Sequence, residues 1–240
     1  MKLRLDRLLV SRGLVESREK AQALIMAGEV LVGGQKASKP GQPVAEDAVL
    51  EVLARPLYAS RGGLKLAAAL AHFAIDVAGK VCLDIGSSTG GFTDVLLQGG
   101  AARVHAVDVG AGQLAWQLRT DARVVLHEGI NARQLKFHEI GETVEFLCCD
   151  VSFISVTLIL PAAVPLLRAD GQMVILIKPQ FEVGRGQVGK GGIVREPQLH
   201  QAACQRVEEA VRGYGFQTSI MPSPILGAEG NHEFLLYARH

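Results

Sequence analysis

Net charge is nearly absent from this chain: 25 Lys and Arg against 24 Asp and Glu leave +1. A balance of that size does not drive the whole molecule toward nucleic acid, so any basic surface must be local. Long apolar runs are missing too. The longest, Val156 to Leu167, is too short to span a bilayer and is broken by Pro161 and Pro165. The opening residues Met1-Lys2-Leu3-Arg4-Leu5-Asp6-Arg7 alternate charged with apolar side chains and lack the apolar centre of a signal peptide. These shortages set the expectation of a soluble cytoplasmic protein with no membrane partner. Cysteine is scarce, at Cys82, Cys148, Cys149 and Cys204, and no pair has the two-residue spacer of a zinc knuckle or redox motif. No metal is expected, and the thiols read as free and buried. His105, His127, His138 and His200 show no convergent spacing and read as structural or surface residues.

What is present is a strand–loop–helix signal. The apolar run Val81-Cys82-Leu83 is followed by Asp84-Ile85-Gly86-Ser87-Ser88-Thr89-Gly90-Gly91-Phe92-Thr93-Asp94 and then Val95-Leu96-Leu97. Glycine and small hydroxyls between a buried strand and a helix start let backbone approach a nucleotide-like ligand. With 240 residues and 48% hydrophobic content, the chain can bury one large α/β core with about 60 residues to spare.

Those residues lie at the N-terminus. Leu5, Leu8 and Leu9, then Ala21, Leu24 and Ile25, recur at helical spacing, with Ser17 as the second N-cap and Gly28 as its stop. Short β-type runs follow at Val30-Leu31-Val32 and Val49-Leu50-Glu51-Val52. Residues 1–45 hold eight cations (Lys2, Arg4, Arg7, Arg12, Arg18, Lys20, Lys36, Lys39) and four acids, 8 − 4 = +4. Such a patch suits a phosphate backbone, although charge alone equally describes a solvated helix face. The segments Arg4-Leu5-Asp6-Arg7-Leu8-Leu9, Ser17 to Ile25 and Gly28 to Gly34 resemble the RNA-binding module named after small-subunit ribosomal protein S-four. The resemblance implies RNA contact, with Arg4, Arg7, Arg12, Arg18 and Lys20, and Arg61 beyond the module, touching phosphates rather than reading bases.

The domain plan is therefore residues 1–54, a small α+β RNA-binding domain; 55–60, a linker around Pro56; and 61–240, the large domain. In the latter, strands at 81–85, 103–109, 124–128, 145–150, 172–178, 216–222 and 232–238 alternate with helices near 91–98, 112–119, 155–168 and 197–213. Alternation argues for a mostly parallel sheet with helices on both faces. The last two strands are joined without a helix, so the final one runs antiparallel. An α/β, Rossmann-like, seven-stranded sheet ending in a hairpin is the form found in methyltransferases that use S-adenosylmethionine.

A glycine-rich loop with Asp108 ending the next strand suits a nicotinamide dinucleotide or S-adenosylmethionine, because a carboxylate there accepts hydrogen bonds from ribose hydroxyls. The spacing Gly86-x-x-x-Gly90-Gly91 and the acid Asp84 before the loop favour S-adenosylmethionine, since a pyrophosphate would be repelled. Asp84, Gly86, Ser87, Ser88, Thr89, Gly90 and Asp108 are the candidate cofactor residues. Asn131 joins them from the end of the third strand, and Phe153 either packs on the cofactor or fills the core.

Two residues fall at strand ends facing the expected crevice: Asp150 in Asp150-Val151-Ser152-Phe153-Ile154-Ser155, and Lys178 in Ile177-Lys178-Pro179-Gln180-Phe181-Glu182. A lysine closing an apolar strand needs its charge compensated. Asp150 is the obvious partner, as a plain ion pair or as part of a proton-accepting site for a sugar hydroxyl. Lys65 offers a second cation, and Glu233 can orient one lysine. The glycine-rich, basic stretch from Glu182 to Glu196 is either a loop at the crevice mouth that orders on RNA or a flexible connection.

Tyr58 to Leu66, Asp84 to Asp94, Asp150 to Ser155, Ile177 to Glu182 and Asn231-His232-Glu233 together resemble the TlyA (haemolysin A) family of rRNA ribose 2′-O-methyltransferases over nearly the whole chain. The resemblance implies a Lys-Asp-Lys-Glu tetrad at Lys65, Asp150, Lys178 and Glu233, S-adenosyl-L-methionine as cofactor, and ribosomal RNA or ribosomal subunits as partner, with cytidine the implied nucleotide. The family's linker carries an Arg-x-Trp-Val-like tetrapeptide where this chain has Arg55-Pro56-Leu57-Tyr58, and the single tryptophan is Trp116. Coupling of RNA binding to cofactor binding, and the choice of ribosomal subunit, stay open at that point. Competing readings are a methyltransferase with another acceptor and a non-catalytic ribosome-binding factor. A membrane-damaging haemolysin has no spanning or strongly amphipathic segment behind it.

Overall fold

The computed structural model describes residues 2–53 and 57–240. The Pro56 turn and the Arg55 end of the linker tetrapeptide lie outside the described residues. The chain divides into two compact units, Met1–Leu57 and Tyr58–His240.

The first unit runs β1 (Lys2–Arg4), α1 (Leu5–Ser11), α2 (Arg18–Met26), β2 (Val30–Val32), β3 (Gln35–Lys36), β4 (Pro43–Ala45) and β5 (Leu50–Val52). The first strand pairs antiparallel with β4, while β2 lies between β3 and β5. Its core is the apolar stripe of the two helices, Leu5, Leu8, Leu9, Ala21, Leu24 and Ile25, closed by Val30 and Val44. Ser17 caps α2 by accepting the Lys20 N–H, and Gly28 leaves the helix at φ +70.

The second unit contains α3 (Gly62–His72), β6 (Val81–Ile85), α4 (Gly91–Gln98), β7 (Arg103–Asp108), α5 (Trp116–Arg119), β8 (Val124–Glu128), α6 (Phe137–Ile140), β9 (Val144–Cys149), α7 (Leu160–Ala163), β10 (Leu167–Ile177), α8 (Pro179–Glu182), α9 (Pro197–Arg212), β11 (Gln217–Pro222) and β12 (Phe234–Arg239). Its seven-stranded sheet has the order β11-β12-β10-β9-β6-β7-β8. The strands from β10 to β8 are parallel, and β12 runs antiparallel between β10 and β11.

Side chains alternate across this sheet. Leu83, Ile85, Leu147, Cys149, Ile175 and Ile177 face one layer with Ala203, Val207 and Val211 of α9. Cys82, Phe146, Cys148, Val174 and Leu176 face the other, with Leu66 and Ala69 of α3 and Phe92, Val95 and Leu96 of α4. Chain order reverses between β6 and β9, the strand pair where open α/β sheets leave a crevice at their carboxyl ends.

Two local readings are corrected. The helix expected over 155–168 is a series of short turns, 156–158, 160–163 and 164–166, followed directly by β10. Pro161 and Pro165 remove the N–H groups a continuous helix needs. The helix expected over 112–119 is a loop to Ala115 and one turn from Trp116. His105 and His127, read as structural or surface residues, are in contact: His105 Nδ1 lies 3.0 Å from His127 Nε2, and His105 Nε2 lies 2.9 Å from Glu142 Oε1. They meet across neighbouring strands β7 and β8, a proximity that linear spacing does not register. Burial, with the positive influence of His105, pushes the His127 pKa down.

Candidate active site

At the carboxyl edge of the sheet a cavity of about 450 Å³ is lined by residues following four successive parallel strands. The loop after β6 brings Gly86 and Ser88, β7 ends in Asp108 and leads to Val109 and Gln113, the loop after β8 brings Ile130 and Asn131, and the loop after β9 brings Asp150 to Ile154. Asp108 organises one wall: its Oδ2 accepts the Ser88 N–H at 2.8 Å and its Oδ1 the Gly110 N–H at 2.7 Å. Each oxygen keeps acceptor capacity toward the cavity.

Gly86 decides how close the two sides come. Its φ is +84, and a Cβ there would lie 2.2 Å from the Asp150 carbonyl oxygen. Gly86→Ala should force the loop after β6 away from the loop after β9. The expected result is a drop in cofactor affinity of about tenfold or more, with a lower melting temperature. Calorimetric titration and thermal unfolding check this, and wild-type values in both would overturn the close-packing account.

The cofactor candidates and Asp150 divide into residues that line the cavity and residues that do not. Gly86, Ser88, Asp108, Asn131, Asp150 and Phe153 line the cavity, whereas Asp84, Ser87, Thr89 and Gly90 do not. Asp84, a candidate cofactor residue, is fully buried, and its carboxylate accepts from Thr93 Oγ1 at 2.7 Å and from Cys148 Sγ at 3.6 Å. The pleat sends it, with Cys82, into the layer beneath α3 and α4. Desolvation pushes its pKa up to about 7 against the Thr93 hydrogen bond. Ser87 is buried and Thr89 exposed, while Gly90 sits where a Cβ would meet Leu118 at 2.2 Å, a packing position. Phe153 does not fill the core: it is 92% exposed, holds φ +65 and leans on Phe181 with ring centroids 5.3 Å apart.

The four charged candidates form two ion pairs. Lys178 Nζ lies 2.6 Å from Asp150 Oδ1 and donates to Ser152 Oγ at 2.8 Å. Lys65 Nζ on α3 lies 2.5 Å from Glu233 Oε2, both nearly buried. Topology links the pairs, because the antiparallel register Ile177↔Phe234, extended by one residue, sets Lys178 opposite Glu233. A Cβ on Gly227 would lie 2.0 Å from Glu233 Oε1, so the bare glycine makes room for that carboxylate. Beside Lys65 a second cavity of about 240 Å³ is lined by Ser60, Arg61, Gly62 and residues 225–228.

Sequence reasoning missed several supports. Glu182, almost fully buried, accepts from Ser155 Oγ at 2.6 Å and the Val156 N–H at 2.8 Å, tying the segment after Lys178 to the segment after Asp150. Its desolvation pushes the carboxyl pKa up. Asn231, also buried, accepts the Val194 N–H and donates to the Gly192 carbonyl, pinning the end of the glycine-rich stretch two residues from Glu233. Gln113 takes the Ser88 hydroxyl. The one available signal was polarity inside otherwise apolar surroundings, which does not reveal a partner. Tyr58 and Ala59, read as linker, belong to the second unit: Tyr58 packs on its core and the Ala59 N–H donates to Asp94.

Of the expected RNA contacts, Arg7 and Arg61 are exposed. Arg12 donates to the Ala48 and Glu46 carbonyls, and Lys20 pairs with Glu16 at 2.8 Å. Arg4 and Arg18 converge on Asp6. Among the described residues no group of His, Cys, Asp and Glu is arranged to hold a metal ion, and no helix is long and apolar enough to cross a membrane.

A family model described as FtsJ-like methyltransferase matches residues 58–240, and one described as S4 domain matches residues 3–50. The chain is 48% identical over 239 residues to the 16S/23S rRNA (cytidine-2'-O)-methyltransferase TlyA of Mycobacterium tuberculosis, covering 98% of this chain and 89% of the relative. The chain belongs to the TlyA family of FtsJ-like methyltransferases. Another relative, from Brachyspira hyodysenteriae, bears the name Hemolysin A and is 43% identical, with 98% of this chain and 99% of the relative covered. A solved structure from Streptococcus thermophilus, named as a hemolysin, superposes with a TM-score of 0.76 at 45% identity, covering 99% of this chain and 88% of the other. The seven-stranded fold of this TlyA-family enzyme is thus that of a methyltransferase, with an S4 domain before it.

Proposed function

We propose that this enzyme transfers a methyl group from S-adenosylmethionine to the 2′-oxygen of a cytidine ribose in ribosomal RNA, acting in the cytoplasm. The single observation that carries the reading is the Asp150–Lys178 pair at the edge of the 450 Å³ cavity, with Lys65–Glu233 across the adjoining strand end. The cavity lies within the roughly 300–1,000 Å³ range of small-molecule sites.

The residues present fit the cofactor. Asp108 holds the cavity wall and has lone pairs left for ribose hydroxyls, Asn131 offers an amide, and Val107, Val109, Ile130 and Val151 give an apolar bed for a purine. When bound, S-adenosylmethionine supplies an electrophilic methyl group on a sulfonium. The Lys178 ammonium first releases a proton to solvent, and the neutral amine, held in direction by Asp150 and Ser152, then takes the proton from the ribose hydroxyl. Lys65, anchored by Glu233, places a positive charge beside the developing alkoxide. Most of the remaining barrier is lowered by alignment of the acceptor oxygen. In this reading residues 1–54 hold RNA through phosphate contacts, and residues 61–240 carry the chemistry.

The names of relatives support the acceptor: the Mycobacterium tuberculosis relative is a 16S/23S rRNA (cytidine-2'-O)-methyltransferase. The test is transfer of labelled methyl to each purified ribosomal subunit, followed by mapping. Label on a cytidine 2′-oxygen is the expected result. Label on a base, or none on either subunit, would overturn the assignment.

A further inference from the structure

Asp6 stands in the first turn of α1 and has no exposed surface. Its carboxylate accepts from Arg4 Nε at 3.0 Å, Arg4 Nη2 at 2.9 Å, Arg18 Nε at 2.9 Å, Gln22 Nε2 at 3.0 Å and the Arg7 N–H at 2.9 Å. Five donors on two oxygens saturate the acceptor. The Arg4 hydrogen bonds above all, with Gln22 and Arg18, hold its carboxyl far below the usual carboxylate range despite burial, so it stays ionised.

The two arginines are held by one edge and open at the other. Side chains of Arg4 and Arg18 remain 44% and 45% exposed. Among the described residues Arg4 Nη1 and both terminal nitrogens of Arg18 make no hydrogen bond within the protein. The Arg4 head lies against Gly41, where a Cβ would come within 3.2 Å of Nη1, so the bare glycine leaves room for the guanidinium. Arg12 and Lys20 differ, since their donors are turned onto the protein's own carbonyls and Glu16.

A long cationic side chain normally loses rotamer freedom when it grips a phosphate. Arg4 and Arg18 have been ordered in advance. We propose that Asp6 is a positioning residue for RNA, holding Arg4 and Arg18 as a fixed pair of donors for two neighbouring backbone phosphates without touching RNA itself. This rests on the reading that the N-terminal module binds RNA.

The proposal and simple Coulomb attraction disagree in sign. Replacing Asp6 by Asn raises the local charge by one, which by itself strengthens attraction to a polyanion. Positioning instead requires Asp6→Asn to weaken binding. The experiment is filter binding of the full chain to purified ribosomal RNA over a salt series, with Asp6→Asn, Arg4→Ala/Arg18→Ala and the triple combination. Expected is at least a fivefold loss for Asp6→Asn, with the slope of log affinity against log salt shallower by about 1.4 for two lost phosphate contacts. No further loss is expected when Asp6→Asn is added to the double arginine variant. A structural defect in the module would weaken binding in both backgrounds, and that outcome overturns the proposal. Equal or tighter binding by Asp6→Asn likewise overturns it while leaving RNA binding intact. Failure of the wild-type chain to bind RNA at all removes the underlying reading, and the proposal with it.

Discussion

Lys178→Ala should lower the rate of methyl transfer by about 10²–10⁴-fold, the range a positioned general base contributes. Cofactor affinity should stay within about threefold, because Lys178 does not line the cavity, although it contacts Asp150 and Ser152, which do. Removing the lysine also strands the Asp150 carboxylate, so alanine alone does not separate proton transfer from charge balance. Lys178→Arg does. A guanidinium keeps the positive charge beside Asp150 but does not give up its proton in a protein, and therefore cannot accept one. If Lys178 takes the proton from the ribose hydroxyl, the arginine variant is as inactive as the alanine variant while binding the cofactor normally. Single-turnover transfer to ribosomal RNA with labelled cofactor measures both. Arginine activity above a tenth of wild type would make Lys178 an electrostatic anchor and overturn its role as base.

Much of the scaffold was legible because burial leaves a simple trace. Strands β6, β7, β9 and β10 are covered on both faces and read as apolar runs, and the absent helix before β12 announced its antiparallel direction. The four charged residues were legible one at a time, each as a polar group at an element's end. Their pairing was not, since Lys65 reaches Glu233 across 168 positions of sequence and only the sheet register explains why Glu233 returns to the end of β10. The misread segment 155–168 shows the limit of hydrophobic period as a signal: Leu158, Ile159, Leu160 and Leu166 suit a helix, but two prolines divide it into turns. Phe153 illustrates a second limit. An aromatic after an apolar strand is usually core, yet its left-handed backbone turns the ring outward beside the cavity. Strain of that kind, about 1–3 kcal/mol, persists only where the surroundings enforce it.

Asp84 supplies the other large effect, and it is an effect on stability. Its position before the glycine-rich loop suggested a ligand-facing acid, but the strand's two-residue period turns it into the layer between sheet and helices, where Thr93 and Cys148 are its hydrogen-bond partners among the described residues. Desolvation, aided by the nearby negative charge of Asp150 and opposed by the Thr93 hydrogen bond, pushes its pKa up from 3.8 to about 7. Between those values the folded chain keeps a proton that the unfolded chain has lost. By linkage, stability then falls as pH rises through this window and levels off above the folded value. A shift of this size corresponds to about 4 kcal/mol between pH 4 and pH 8. Asn has nearly the same shape, its carbonyl can still accept from Thr93, and it cannot ionise. Asp84→Asn should therefore gain on wild type as pH rises, by about 3–4 kcal/mol across that range. Other titrating groups, including buried Glu182, are common to both chains and cancel in the difference. Urea unfolding of the two proteins at pH 4, 6 and 8 checks this, and stability curves that run parallel would show that Asp84 is ionised at little cost in its buried site.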